Sequence, residues 1–154
     1  MTGFDIKPLQ GQVTIPELME LADEMFHESR FAPLGVDGDK LFFHVSNILS
    51  GAQWLAFGAF DSDVLCGMVV GVCGTVLPFT HSVVAIEHYL FLKEGYRGGD
   101  LAPRLIGAFQ QEALRRGARD ITLSNGFGGD PKRVEKLYER CGAVRIGSIF
   151  TLGA

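Results

Sequence analysis

Residues 64–86, VLCGMVVGVCGTVLPFTHSVVAI, contain no Asp, Glu, Lys or Arg over 23 positions. A run of that length is long enough to cross a bilayer. Pro78, Thr80, His81 and Ser82 interrupt it, however, and it is rich in β-branched residues. It reads better as two buried strands joined by a turn at 78–82. The chain is therefore expected to be built on a buried sheet and not to enter a membrane.

The rest of the chain alternates around that sheet. Residues 3–9 read as a first strand. Thr14 with Glu17 three residues on forms a capping box, and Leu18, Leu21, Ala22, Met25 and Phe26 follow at helical spacing, which predicts a helix over 15–29. Pro33, Gly35 and Gly38 mark 30–38 as a loop. Asp39 is the expected cap of a second helix, with Leu41, Phe42, Val45, Ile48 and Leu49 on one face and Gly51 at its end. The period then changes. Residues 53–60 and 64–77 predict strands joined at Asp61-Ser62-Asp63, and 83–92 predicts another. A Gly-rich loop from Lys93 to Leu101 leads into a helix starting near Pro103 and stopping at Gly117, with Leu105, Ile106, Phe109, Ala113 and Leu114 as its apolar face. Residues 119–124 predict a strand and NGFGG a loop. Asp130-Pro131 opens a fourth helix with Val134, Leu137, Tyr138 and Cys141 in one stripe, closed by Gly142. Residues 143–152 are expected to supply one or two final strands. The order, β-α-α-β-β-β-α-β-α-β, carries no internal repeat and implies one α+β domain over 1–154.

The 154 residues suit a single domain, and 47% hydrophobic with 21% charged residues is a globular composition. The net charge of −4 argues against a general nucleic-acid binder. Residues 1–90 hold three basic and eleven acidic groups, whereas 91–154 hold eleven basic and seven acidic ones. A basic second half suits a local anionic ligand, and an acidic first half a cationic co-substrate. Solvated surface on both halves is the plainer alternative. Cys66, Cys73 and Cys141 form no CxxC and no metal-like cluster, as expected of reduced thiols in a cytoplasmic protein without a metal. The start MTGFDIKPLQ has neither the basic nor the apolar region of a signal peptide.

The most informative segment is strand 83–92, the loop KEGYRGGDL and the helix after it. A Gly-rich turn running into a helix aims several free N–H groups at one point, where the helix dipole adds positive charge. Such a point favours an anion, usually phosphate. Arg97 and Arg104 flank it. Neither G-x-G-x-x-G nor G-x-x-x-x-G-K-S/T is present. The run YRGGDLAPRL instead resembles the acyl-CoA pyrophosphate loop of the GNAT superfamily of N-acetyltransferases, Gln/Arg-x-x-Gly-x-Gly/Ala. Arg97 and Ala102 match its first and sixth positions, Gly98, Gly99 and Leu101 fill the variable ones, and Asp100 stands at the glycine. KLYERCGAVRIG, residues 136–147, is similar to the second signature of that superfamily through Tyr138 and Gly142, with Ala143 after the glycine and Pro131 seven residues before the Tyr. The resemblance covers roughly residues 53–152.

This resemblance implies a mixed, mostly antiparallel sheet, splayed in the middle, with helices on both faces. It implies that acetyl-CoA lies in the opening, its pantetheine arm hydrogen-bonded to the strand edge near Phe91, Leu92 and Lys93. It implies direct transfer of acetyl to a primary amine in a ternary complex, with the acceptor entering near residues 26–40. It also implies that Tyr138 is the general acid for the departing thiolate; a core tyrosine on its helix stripe is the simpler reading. From the residues themselves Glu87 is the candidate base, as the only acid between Asp63 and Glu94, since burial would raise its pKa toward a useful range. His88 is expected on the opposite face and His81 in the turn. Asn125 either touches the pantetheine or forms the NG turn. Lys132, Arg133 and Lys136 read as a solvated helix face that could also reach CoA phosphates. Cys141 has no His–acid pair to activate it, which argues against a thiol nucleophile. Phe26, His27, Arg30 and Phe31 are candidates for contact with a small-molecule or peptide amine.

Two rivals stand beside this reading. One is a non-catalytic CoA-binding or interaction protein on the same fold. The other is a nucleotide-phosphate binder using NGFGGD. A homodimer paired through the apolar run SIFTLGA is an open alternative to a monomer.

Overall fold

In a computed structural model, which describes residues 3–153, nine strands and helices build one α+β unit. Strand β1 (Phe4–Pro8) leads to helix α1 (Ile15–Glu28), the first of two 3-10 turns at Ala32–Leu34 (the other is Glu94–Tyr96), and α2 (Gly38–Ser50). Strands β2 (Trp54–Asp61), β3 (Val64–Gly74) and β4 (Val84–Leu92) follow, then α3 (Leu101–Arg115), β5 (Ile121–Thr122) and α4 (Pro131–Arg140). The five strands form one sheet in sequence order, antiparallel from β1 to β4 and parallel between β4 and β5.

The uncharged stretch folds as two strands, β3 and β4, with Val76, Phe79 and the rest of 75–83 as their connection. Buried positions run almost continuously along β3, because helices cover both faces. On one face α1 and α2 pack Leu18, Leu21, Met25, Val45 and Ile48 against Ala56, Met68, Val70 and Tyr89. On the other, α3 packs Leu105, Phe109 and Ala113 against Leu55, Val69 and Ala85. Among the described residues, no helix is long and apolar enough to cross a membrane.

Local signals account for most helix ends. Thr14 Oγ1 accepts from the Glu17 amide while the Glu17 carboxylate accepts from the Thr14 amide at 2.7 Å, the reciprocal capping box. Asp130 caps α4. The second helix corrects the sequence reading. It begins at Gly38, and its cap is Asp37, whose carboxylate accepts from the Lys40 amide at 2.9 Å; Asp39 lies inside the first turn. Either aspartate satisfies the cap chemistry, and the earlier one wins because the helix extends back to Gly38.

Three larger expectations fail in the C-terminal third. Strand 119–124 shrinks to Ile121–Thr122. The stripe on α4 is not buried, and Leu114 on α3 is exposed. Among the described residues, 143–153 contain no strand, so the final β element is missing and the outer edge of β5 has no paired neighbour.

The sheet opens where expected. β4 and β5 pair only at Ala85–Ile121 and Ile86–Thr122, after which β4 continues to Leu92 paired with β3 alone. A β-bulge sits at the opening. Val70 faces Tyr89 and Gly71 faces Glu87, so His88 is an extra residue in β4. Gly71 is required there, because a Cβ would stand 2.2 Å from the Ile86 carbonyl oxygen and 2.9 Å from Glu87 Cα.

Candidate active site

The bulge sends neighbouring side chains in different directions. Tyr89 enters the core beneath α1 and α2, where its hydroxyl lies 2.7 Å from His44 Nε2. His88 lies near Trp54, with ring centroids 5.7 Å apart. Glu87 turns toward the end of β5, where it is 2% exposed. Its Oε2 accepts from the Ser124 amide at 2.8 Å and lies 3.5 Å from the Tyr138 hydroxyl. Its Oε1 is buried and has no hydrogen-bond partner among the described residues. Burial pushes the Glu87 carboxyl up to about 7, against the opposing pull of the Ser124 and Tyr138 hydrogen bonds.

Tyr138 projects from α4 and donates to the Ser124 carbonyl at 2.7 Å. Burial, reinforced by the nearby Glu87 charge, raises its phenol well above the ordinary value, so the hydroxyl stays protonated. Tyr138 lines a cleft of about 1070 Å³ bounded by Ile106 and Phe109 of α3, residues 120–126 and the segment 143–151. Glu87 does not line it and sits behind Ser124 and Tyr138.

At the other end of β4, the loop before α3 is open. Gly98 has φ +88°, the left-handed region, and a Cβ on Gly98 or Gly99 would meet nothing within 4 Å. Among the described residues, nothing accepts from the amides of Gly98, Gly99, Asp100, Leu101 or Ala102. These five free amides make a cradle of donors at the N-terminus of α3, a setting that favours an anion. Asp100 is exposed and makes no side-chain cap.

The other candidate binding residues are less free than the sequence suggests. The Arg97 guanidinium pairs with Glu28 of α1 at 2.5 Å, donates through Nε to the Leu92 carbonyl and lies over the Phe91 ring. Arg104 points toward β1 and donates to the Phe4 carbonyl at 2.8 Å. The Lys93 amide is engaged by the Cys66 carbonyl. Asn125 is exposed at the rim of the cleft. Among the acceptor candidates, Phe26 and Phe31 come together around Phe127, while Arg30 donates to the Gly126 carbonyl at 2.9 Å. His27 is exposed and bonds back to Asp23.

Sequence reasoning missed Ser124, Phe127 and His44. Ser124 acts through its backbone, which no side-chain pattern reveals. Phe127 had a visible signal, a lone aromatic between glycines. Among the described residues, no group of three or more His, Cys, Asp or Glu is placed to hold a metal ion.

No protein-family model and no curated protein matches the sequence. Solved structures do. The aminoglycoside N-acetyltransferase AAC(6')-Iy, in complex with the bisubstrate analogue CoA-S-monomethyl-acetylneamine, is 16% identical over 99% of this chain and 98% of that one, with a TM-score of 0.79. A ribosomal-protein-alanine N-acetyltransferase from Brucella melitensis biovar Abortus 2308 is 20% identical over 99% of both chains, with a TM-score of 0.72. A transcriptional regulator from Bacillus halodurans C-125 is 15% identical over 99% and 100%, with a TM-score of 0.77. A splayed five-stranded sheet, a bare amide cradle before α3 and a tyrosine on α4 are thus assembled on the fold of the GNAT acetyltransferases.

Proposed function

We propose that this protein transfers acetyl from acetyl-CoA to a primary amine of a small molecule or peptide, by direct attack in a ternary complex. The observation that carries the reading is the Glu87–Ser124–Tyr138 cluster beside the opening of the sheet. An ammonium must lose a proton before it attacks a thioester, and the departing thiolate needs one. Glu87, buried and raised to about 7, suits the first task, with water relaying the proton past Ser124. Tyr138, held protonated on the cleft wall, suits the second once its hydroxyl leaves the Ser124 carbonyl.

Acetyl-CoA supplies the activated acyl group. The amides of Gly98 to Ala102 would hold its diphosphate, with Arg97 joining after release from Glu28. The strand edge at Phe91–Lys93 and Asn125 would receive the pantetheine arm. The end of α1, with Phe26, His27, Arg30 and Phe31, would receive the amine, and aminoglycosides lead the acceptors to try because structural neighbours include aminoglycoside acetyltransferases. The structural neighbours that are N-acetyltransferases favour catalysis over the binding-only rival. We further propose a homodimer paired through residues 143–153, and a cytoplasmic location in keeping with three free cysteines; Ala154 of the run SIFTLGA lies outside the described residues.

Thioester consumption with amine, amino-acid, peptide and aminoglycoside panels tests the reading. Tyr138→Phe and Glu87→Gln should each lower turnover by roughly a hundredfold or more, the scale of general acid–base catalysis, while calorimetric CoA binding survives. Unchanged turnover in both variants would remove the assigned roles.

A further inference from the structure

The loop Asn125-Gly126-Phe127-Gly128-Gly129 carries one aromatic side chain between glycines. Its ring sits among three others from separate parts of the chain. Phe26 of α1, Phe31 beyond α1 and Tyr89 of β4 each place a ring centroid 5.4 Å from that of Phe127. Tyr89 is itself fixed by the His44 contact. The backbone is held at the same place, because Arg30 donates through its amide to the Phe127 carbonyl at 3.4 Å and through Nε to the Gly126 carbonyl. Gly128 packs so closely that a Cβ would lie 3.2 Å from Ser29 Cα.

Glycines leave a loop free to take many conformations, so Phe127 supplies the apolar anchor for this one. Three residues before it stands Ser124, whose amide meets Glu87 and whose carbonyl meets Tyr138. We propose that Phe127 is a positioning residue: its insertion among Phe26, Phe31 and Tyr89 fixes the Ser124 peptide on Glu87 and Tyr138. The same insertion ties the end of α1, where the acceptor would enter, to the acid–base pair. This inference rests on the reading of Glu87 and Tyr138 given above.

Glu87 is a clean reporter of the Ser124 contact. Among the described residues, Tyr138 of α4 is the one titratable side chain set against it. The loop after β5 offers the Ser124 backbone, and β3 and α3 offer Gly71 and Phe109, which carry no charge. Losing the Ser124 N–H removes a bond that favours the charged carboxylate, so the carboxyl should titrate higher.

Carbon-13 NMR titration of the Glu87 carboxyl, assigned with Glu87→Gln, decides the matter. In Phe127→Ala the midpoint should rise by about one unit, and in Phe127→Leu, which keeps an apolar anchor, by less than about half of that. Turnover in Phe127→Ala should fall about tenfold with KM for acetyl-CoA within about twofold of the parent. Should the alanine variant fail to fold, Phe31→Ala removes one wall of the same box and carries the same expectation. An unchanged Glu87 midpoint in a folded variant overturns the inference. A parent protein without transfer activity would overturn the acetyl-transfer reading instead, and the titration would still decide the role of Phe127.

Discussion

Tyr138 and Glu87 are joined through the backbone of one residue, Ser124, more than to each other: the Tyr138 hydroxyl lies 2.7 Å from the Ser124 carbonyl and 3.5 Å from the Glu87 carboxylate. The Ser124 amide completes the link to Glu87 at 2.8 Å. An acid and a base held by the N–H and the carbonyl of one residue share its position but not a strong mutual hydrogen bond. Each can therefore exchange its proton without first breaking from the other.

The buried carboxylate makes stability depend on pH. Glu87 titrates near 7 in the folded protein, above an unfolded value near 4.5. The folded state therefore holds the extra proton, and the stability it brings is full below the unfolded value and lost as pH rises through 7. Between pH 5 and 8 the loss should reach about 2–3 kcal/mol. Glu87→Gln cannot lose a proton, so its stability relative to the parent should grow by that amount across the same range. Urea denaturation of both proteins at pH 5, 6, 7 and 8 checks this, and parallel curves would contradict it.

Asp100 places a carboxylate at the tip of the amide cradle, exposed and without a cap bond. A negative charge beside a diphosphate weakens binding through a screened interaction. Asp100→Asn keeps the shape and removes the charge. It should tighten CoA binding several-fold at low ionic strength, with the gain shrinking toward none near 1 M salt, where the screening length falls to about 3 Å. Calorimetry with CoA across a salt series reads this directly.

Helix and strand positions up to about residue 117 were legible because each rests on a local cause. The Thr14–Glu17 box, the turn at Ser62 and Gly117 with φ +86° act within a few residues. Glu87 was legible because a lone acid in an apolar strand must be either buried or exposed by a break in the pattern. The bulge at His88 was not legible, since it arises from pairing with Gly71 on another strand. Arg97 and Arg104 looked available in sequence and are engaged in space, by Glu28 and the Phe4 carbonyl. The strand expected over 143–152 is absent although β5 leaves an edge open, so alternation in the sequence does not by itself secure pairing with another strand.

The ion pair between Arg97 and Glu28 gives a separate test of the cradle. If Arg97 joins the diphosphate, it must first leave Glu28, and half-exposed side chains on two mobile stems can do so readily. Glu28→Gln should then raise CoA affinity a few-fold, whereas Arg97→Ala should lower it by about tenfold, the scale of one lost charge-assisted contact. The double variant should match Arg97→Ala, since Glu28 would act only through the guanidinium. Additive effects would show that Glu28 influences the ligand by another route.

Residues 143–153 give the last prediction. Val144, Ile146, Ile149, Phe150 and Leu152 are each at least 67% exposed, although the first four line the cleft. Five large apolar side chains in solvent form a patch that soluble monomers rarely keep. Positions 144, 146, 150 and 152 would share one face of an extended segment. Two copies exchanging this segment would bury it from both sides, reaching the roughly 800 Å² per partner of a standard interface. Sedimentation velocity at micromolar concentration should show a dimer for the parent and a monomer for the Phe150→Asp, Leu152→Asp double variant. Because the segment lines the same cleft as Tyr138, the monomeric variant should also lose turnover, while its α1–β4 core keeps the parent's thermal midpoint within a few degrees. A parent that sediments as a monomer would leave this apolar run without the role assigned to it.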